Sequence, residues 1–351
     1  MSAPVTTALA PYDAILLVSF GGPEKPDEVV DFLEVVTRGS GIPRSRLAQV
    51  GEHYFLFGGR SPINDQCKAL IDALGVELAG RGSSLPIYWG NRNWHPFIDE
   101  ALREVAADGH RRVLMVTTSA YPSYSGCRSY REGVAEALAT TGVDLQIDRA
   151  GNYALDHGFV DANADALRAA LAELPGARVV FVTHSIPTEM NQASGPPAQD
   201  GSYASWHEQV AERVVAGAGA TAGHDLVYCS RSGRPEQPWL EPDVSDHLEL
   251  LHDHGVEKVV VAPIGFVSDH MEVIYDLDTE ARATADRLGM QMLRVATVGT
   301  SQPFVAALAD RLERRAAQAR AAGDTPLGAP DGCGGQGCCR NLKNPDKPAL
   351  V

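Results

Sequence analysis

The sequence predicts an α/β protein of two similar Rossmann-like halves, each a parallel sheet covered by helices, with a cleft between them. Three observations predict it. Apolar runs of strand length alternate with helix-length amphipathic stretches, the pattern of βαβ units. A chain of 351 residues, 44% hydrophobic and 21% charged, can bury two cores of ordinary size. The chain also echoes itself: AILLVSFGGP resembles RVVFVTHSIP, and RRVLMVTTSAYPS resembles EKVVVAPIGFVSD.

Strands are predicted at 14–20, 86–89, 112–118, 144–148, 178–183, 225–229, 257–262 and 292–296. Their Val, Ile and Leu run on without alternation, as in strands buried on both faces. Helices fit between them at 63–80, 97–108, 128–140, 160–173, 204–217, 243–254, 271–287 and 302–321. Ligands of open parallel sheets sit beyond the carboxyl ends of the strands, so SFGGP, TSAYPSYSG, THSIP and APIGFVSDH should converge on one cleft. Residues 1–155 form the first half and 156–325 the second, its last helix packing back on the first. Residues 326–351 form a cysteine-bearing tail of Gly, Pro and Asp without periodicity, read as an appendage.

Composition excludes several partners. A formal net charge of −15 repels phosphate backbones and anionic lipid surfaces, so neither nucleic acid nor membrane is an expected partner. The longest apolar runs are strand-sized, far short of the roughly 20 residues of a membrane-spanning helix. MSAPVTTALAPYDAILLVSF has no basic region before its apolar part, so no secretory signal is expected and a cytoplasmic location follows. In a reducing compartment, clustered cysteines are more often metal ligands or redox groups than disulfides. There is no GxGxxG after the first strand, no GxxxxGK[ST] and no GxSxG, which removes the usual support for hydride transfer, phosphoryl transfer and serine hydrolysis.

Two segments carry candidate chemistry. His184 follows RVVFVT at the expected cleft mouth, where an imidazole can titrate near neutrality or bind metal, or simply hold a turn. In GFVSDHMEVIYDLDTE, with Ser268 or Asp269 as cap, Glu272, Asp276 and Glu280 recur every fourth residue on one helix face. Like charges so spaced repel, so the row is either a solvated face or a track for cations, and its position beside the cleft favours the track.

HYFLFGGRSPIN, GNRNWHPFI, THSIPTEM, SRSGRPEQPWLEPDV and PIGFVSDHMEVIYDLDTEA, in this order and spacing, resemble the ferrochelatases, which insert Fe²⁺ into a porphyrin late in haem synthesis. The resemblance spans about residues 12–320. Metallation removes two pyrrole protons, strips water from Fe²⁺ and bends the macrocycle, so a base or iron ligand must face the ring beside carboxylates. The resemblance makes His184 the histidine facing the ring centre and Glu272 its carboxylate partner, with His270, Asp276 and Glu280 as further polar positions. His184 should be neutral for this work, which its ordinary pKa of about 6.5 permits. Tyr54, Ser61 and Tyr130 match positions that hold porphyrin propionates; Arg60, Arg128 and Arg231 join them on charge grounds. Phe20 stands where some relatives have a metal-coordinating tyrosine, and phenylalanine cannot coordinate. Cys229 stands where relatives generally have glutamine and reads as a small buried side chain.

Some ferrochelatases end in an extension whose cysteines bind a [2Fe–2S] cluster, and DGCGGQGCC resembles it, offering Cys333, Cys338 and Cys339. Such a cluster needs four thiolates, or three and another ligand. Animal enzymes take the fourth from the segment matching GNYALDHGFVD, where this chain has Gly158. Cys127 is the alternative by residue type, His157 and Asp156 by place. A zinc knot, a vicinal redox pair and a metal-free tail are the rival readings; CxxxxCC fits no zinc spacing well. A cluster would be structural, or a redox and iron-status sensor. The expected substrates are Fe²⁺ and coproporphyrin III, with protoporphyrin IX as the alternative, because a long apolar lip for receiving porphyrin from lipid is missing. A chelatase for another metal and ring, and a non-catalytic haem or iron carrier, are the rival functions, and a monomer is expected.

Overall fold

The computed structural model describes residues 8–351 except 200, 324, 326, 331, 332 and 334. Residues 1–7, which open the segment MSAPVTTALAPYDAILLVSF, lie outside the described residues, as do three neighbours of Cys333 in the tail.

Strands β1 (Ala14–Ser19), β2 (Ile87–Asn91), β3 (Arg112–Thr117) and β4 (Gln146–Arg149) form one sheet in the order β2-β1-β3-β4. Strands β5 (Arg178–His184), β6 (His224–Cys229), β7 (Lys258–Ala262) and β8 (Gln291–Arg294) form a second, in the equivalent order β6-β5-β7-β8. Every ladder is parallel. The internal echo falls on β1 and β5, and on β3 and β7, the central strands of each sheet. Between each central pair the chain reverses its direction of winding, which opens a crevice at their carboxyl ends.

All six residues of β1 are buried, as a strand covered on both faces requires. Helix Ile63–Gly80 has the predicted bounds, and the other predicted helices are present within about three residues. Helices Val29–Val36, Arg44–Phe55 and the short Thr188–Gln192 were not predicted. The last helix, Gln302–Ala322, packs against both Ile63–Gly80 and His157–Glu173. Its Phe304 lies 5.7 Å from the Tyr153 ring and 5.9 Å from Phe159, and Arg81 donates to the Ala306 carbonyl at 3.1 Å. Each such fully buried large side chain stabilises the fold by roughly 1.5–3 kcal/mol.

The tail is not a loose appendage. Leu350 N–H donates to the Arg131 carbonyl at 3.3 Å, Arg149 to the Val351 carbonyl at 3.0 Å and Arg128 to the Lys347 carbonyl at 2.9 Å. Arg131 Nε donates in turn to the Leu350 carbonyl at 2.6 Å, so three buried guanidiniums gather backbone carbonyls of the tail, which composition alone could not show.

Candidate active site

A cleft of ≈340 Å³ opens where the loops after β1, β3, β5 and β7 meet. Its position follows from the sheets, and a close approach fixes one corner: a Cβ on Gly265 would lie 2.1 Å from Thr183 Oγ1, so only glycine lets the loop after β7 rest on β5.

His184 is the last residue of β5. Its Nδ1–H donates to the Ser185 carbonyl, which turns Nε2 toward Glu272. His184 Nε2 stands 3.5 Å from Glu272 Oε2, and His270 Nδ1 stands 3.5 Å from the same oxygen. Tyr203 OH supports the strand end by donating to the His184 carbonyl at 2.7 Å. Glu272 enters on the turn Met271–Val273; Arg294 steadies that segment through Asp269 at 3.1 Å and Asp278 at 2.6 Å.

The charges correct the expectation of a neutral His184. Burial disfavours its imidazolium, but the Glu272 carboxylate, its hydrogen bond, the Ser185 carbonyl and Asp276 outweigh that and push it up to about 9. Burial likewise opposes the Glu272 carboxylate, yet His184 and then His270 hold it down to about 2. The pair therefore rests as imidazolium and carboxylate, while burial lowers His270 and keeps it neutral. Both partners open to the cleft, with side-chain exposures of 31% and 49%, so water in the cleft screens the pair until a ligand displaces it.

The acidic row is not one cleft-facing track. After Met271–Val273 the helix widens into a π segment, Ile274–Ala281, and only Glu272 of the three carboxylates lines the cleft. Asp276 is bonded by the Ser230 hydroxyl; burial and the charges of Glu272 and Glu280 nevertheless push it up to about 7. Glu280 is exposed and bonded to Tyr275.

Tyr54, Ser61 and Tyr130 all line the cleft, with Phe20 beside them. The three arginines added on charge grounds do not. Arg60 pairs with Asp65 on the surface, Arg231 donates to the loop carbonyl of Pro235 at 3.1 Å, and Arg128 is buried against Glu132 at 2.9 Å while holding the tail. Arg92 lines the cleft instead, as do Trp239 and Met190, none of which the sequence reading singled out. Arg92 follows β2, so the strand-end rule used for the other loops would have found it. A short apolar run, Phe55, Leu56 and Phe57, is exposed beside Tyr54.

Behind the cleft wall Cys127, Cys333, Cys338 and Cys339 pack together, all as free thiols. Cys127 sits in the π turn Tyr124–Arg128, whose neighbours Ser123, Ser125 and Gly126 line the cleft. Arg149 reaches Cys333 Sγ at 3.4 Å and Gly195 N–H donates to Cys339 Sγ at 3.3 Å. Hydrogen bonds from Cys127 and Cys338, with Arg149 beyond, hold the Cys333 thiol far below its usual range. The segment of Gly158 is elsewhere: a Cβ there would lie 2.1 Å from the Pro303 carbonyl oxygen, and Asp156 is taken by Arg311 at 2.6 Å. Cys229 is buried at the end of β6, as expected.

The sequence pattern of the family described as ferrochelatase matches residues 12–316. The chain belongs to the ferrochelatase family. It is 52% identical, over 94% of both chains, to a coproporphyrin III ferrochelatase of Streptomyces coelicolor. It is 42% identical to one of Corynebacterium glutamicum, over 95% of this chain and 93% of that one. The solved structure of SirB from Bacillus subtilis with Fe³⁺ covers 90% of this chain and 98% of its own at a TM-score of 0.55 and 13% identity, a likeness of fold. As a ferrochelatase the protein is a metal chelatase whose substrates are Fe²⁺ and a porphyrin. Among the described residues no helix is long and apolar enough to cross a membrane.

Proposed function

We propose that the protein inserts Fe²⁺ into coproporphyrin III in haem biosynthesis, in a cleft between the halves 1–155 and 156–325. The observation that carries the reading is the pair of His184 and Glu272, 3.5 Å apart and open to the cleft. Coproporphyrin III, a water-soluble porphyrin with four carboxylates, is favoured by the names of the relatives, and the protein would act on it as a monomer of the cytoplasm. Tyr54, Ser61 and Tyr130 bind the macrocycle's propionates at the cleft wall.

Two protons must leave the pyrrole nitrogens as the metal enters. Glu272, an anion at neutral pH, is the resting base and takes the first. His184 rests as imidazolium; once Glu272 is protonated the charge that raised its pKa is gone, so it gives its proton to cleft water and, as the neutral imidazole, accepts the second. His270, neutral and 3.5 Å from Glu272, holds the carboxylate in place. Asp276 and Glu280 lead charge from the site along the π segment.

Anaerobic Fe²⁺ supplied with each porphyrin in turn, followed by absorbance of the metallated product, tests the reading. Faster turnover of coproporphyrin III is expected. Preference for protoporphyrin IX overturns the substrate, and binding without turnover makes the protein a carrier.

The four thiols suit a [2Fe–2S] cluster, which Cys127, Cys333, Cys338 and Cys339 would hold. Among the described residues no three His, Cys, Asp or Glu converge on one metal ion, but a two-iron cluster takes two thiolates per iron. Burial, N–H donors at sulfur and the guanidinium of Arg149 suit an anionic cluster. When bound it would supply electron storage that metal insertion does not use, so its service is structural or sensory.

A further inference from the structure

Among the described residues one ammonium or guanidinium group lines the cleft, that of Arg92. Its position is rigid: Arg92 N–H donates to the Ser19 carbonyl at 2.9 Å and Asn93 N–H to the Phe20 carbonyl at 3.0 Å, which ties both residues to the end of β1. The Arg92 guanidinium has no hydrogen bond or ion pair among the described residues. At Arg92 the cleft meets a second cavity of ≈440 Å³, lined also by Asn93, by Arg38 at its rim and by the first residues of helix Ile98–Ala107.

Asn93 is 6% exposed, and its Nδ2 has no partner among the described residues. A buried N–H left unpaired is costly, which points to a ligand that accepts from it. The carboxylates of this cavity do not fill that role, nor do they repel an anion strongly, because each is neutralised. Asp99 pairs with Arg103 at 2.7 Å, Glu132 with Arg128 at 2.9 Å and Glu136 with Lys347 at 3.0 Å. A guanidinium with a spare face and a buried amide donor together suit a carboxylate.

We propose that Arg92 and Asn93 form a carboxylate subsite that takes a propionate arm projecting past the ring edge, and so selects a porphyrin with carboxylates on all four pyrroles over one with vinyl groups on two. This rests on the porphyrin reading of the cleft. The arm would cross at Arg92 while the ring stays against His184 and Glu272, so the subsite sets affinity and selectivity and leaves the proton transfers untouched.

The test uses the full chain with Arg92→Gln, Arg92→Lys and Asn93→Leu. Dissociation constants for metal-free coproporphyrin III and protoporphyrin IX are read by fluorescence quenching, with KM and kcat alongside. Arg92→Gln is expected to weaken coproporphyrin III about 10- to 100-fold in Kd and KM while protoporphyrin IX changes about twofold or less, as loss of a charged hydrogen bond would give. Arg92→Lys should recover part of the loss, Asn93→Leu should show a smaller selective loss, and kcat should hold. Equal loss for both porphyrins, or none for either, overturns the subsite. If the unaltered protein binds coproporphyrin III but metallates neither ring, the proposed function fails while the binding data still judge Arg92.

Discussion

The two sheets share one strand order, yet equivalent strand ends do different work. β1 ends at Ser19 and leads into Phe20 and Gly21, an apolar edge that can lie against a ring; β5 ends at His184, which titrates. Beyond β3 the chain enters the π turn Tyr124–Arg128, and beyond β7 it passes through Met271–Val273 into the π segment Ile274–Ala281. The first π element turns Cys127 back to the thiol group behind the wall; the second follows Glu272, which faces the front. The fold therefore sets where groups are presented, and under the proposed function a few side chains at matching places make one wall bind and the other move protons.

The sharpest way to break this comparison is to make the second wall like the first. His184→Ala should lower kcat by about 10²- to 10⁴-fold, the scale of a lost acid–base group, with little change in porphyrin affinity. A variant that metallates porphyrin at the original rate would end the assignment. Phe304 tests whether the halves depend on each other, since its helix contacts both. Phe304→Ala should cost about 3–5 kcal/mol in urea unfolding, and a single cooperative transition should persist. Two separated transitions would show that the helix does not couple them.

A narrower comparison sets the thiols against one another. Cys127→Ser should abolish the visible absorbance of an anaerobically purified, iron- and sulfide-bearing protein, whereas Cys67→Ser and Cys229→Ser, both remote from the thiol group, should leave it. Colour retained in Cys127→Ser would remove Cys127 from the ligand set.

The sequence made the sheets legible because parallel strands buried on both faces leave unbroken apolar runs, and the repeated halves doubled that signal. Helix Val29–Val36 was missed since VVDFLEVV reads equally as a strand, and Arg44–Phe55 because its polar stretch lacks a clear apolar stripe. His184 and Glu272 were legible through motifs at strand ends. Their charge state was not, because it depends on a carboxylate 88 positions along the chain facing the imidazole at 3.5 Å. Cys127 meets the tail because Arg128, Arg131 and Arg149 bind tail carbonyls and Glu132 accepts from Asn341, contacts that have no signature in sequence. The strand-end rule reaches Arg92 after β2, but that its guanidinium stays unpaired among the described residues is visible only once its neighbours are in place.

The smallest effect tests that charge state directly. In the intact protein the groups facing His184 are Glu272, Asp276, His270 and the Ser185 carbonyl; the carboxylates and the carbonyl raise its pKa, while burial lowers it. Glu272→Gln removes the largest favourable charge, so the His184 resonance, followed by NMR, should titrate not near 9 but at or below the ordinary value of about 6.5. The sign for stability follows from the raised value. The interaction stabilises the folded state fully below about pH 6.5 and is lost as pH rises through about 9, so the unfolding free energies of the two proteins should differ most near pH 6 and converge above pH 9. The rate of metal insertion should move the other way, rising with pH in the intact protein as His184 loses its proton and rising at lower pH in Glu272→Gln from a reduced maximum. An unshifted titration would mean that cleft water screens the pair completely, and the second wall would then differ from the first in residue type but not in charge.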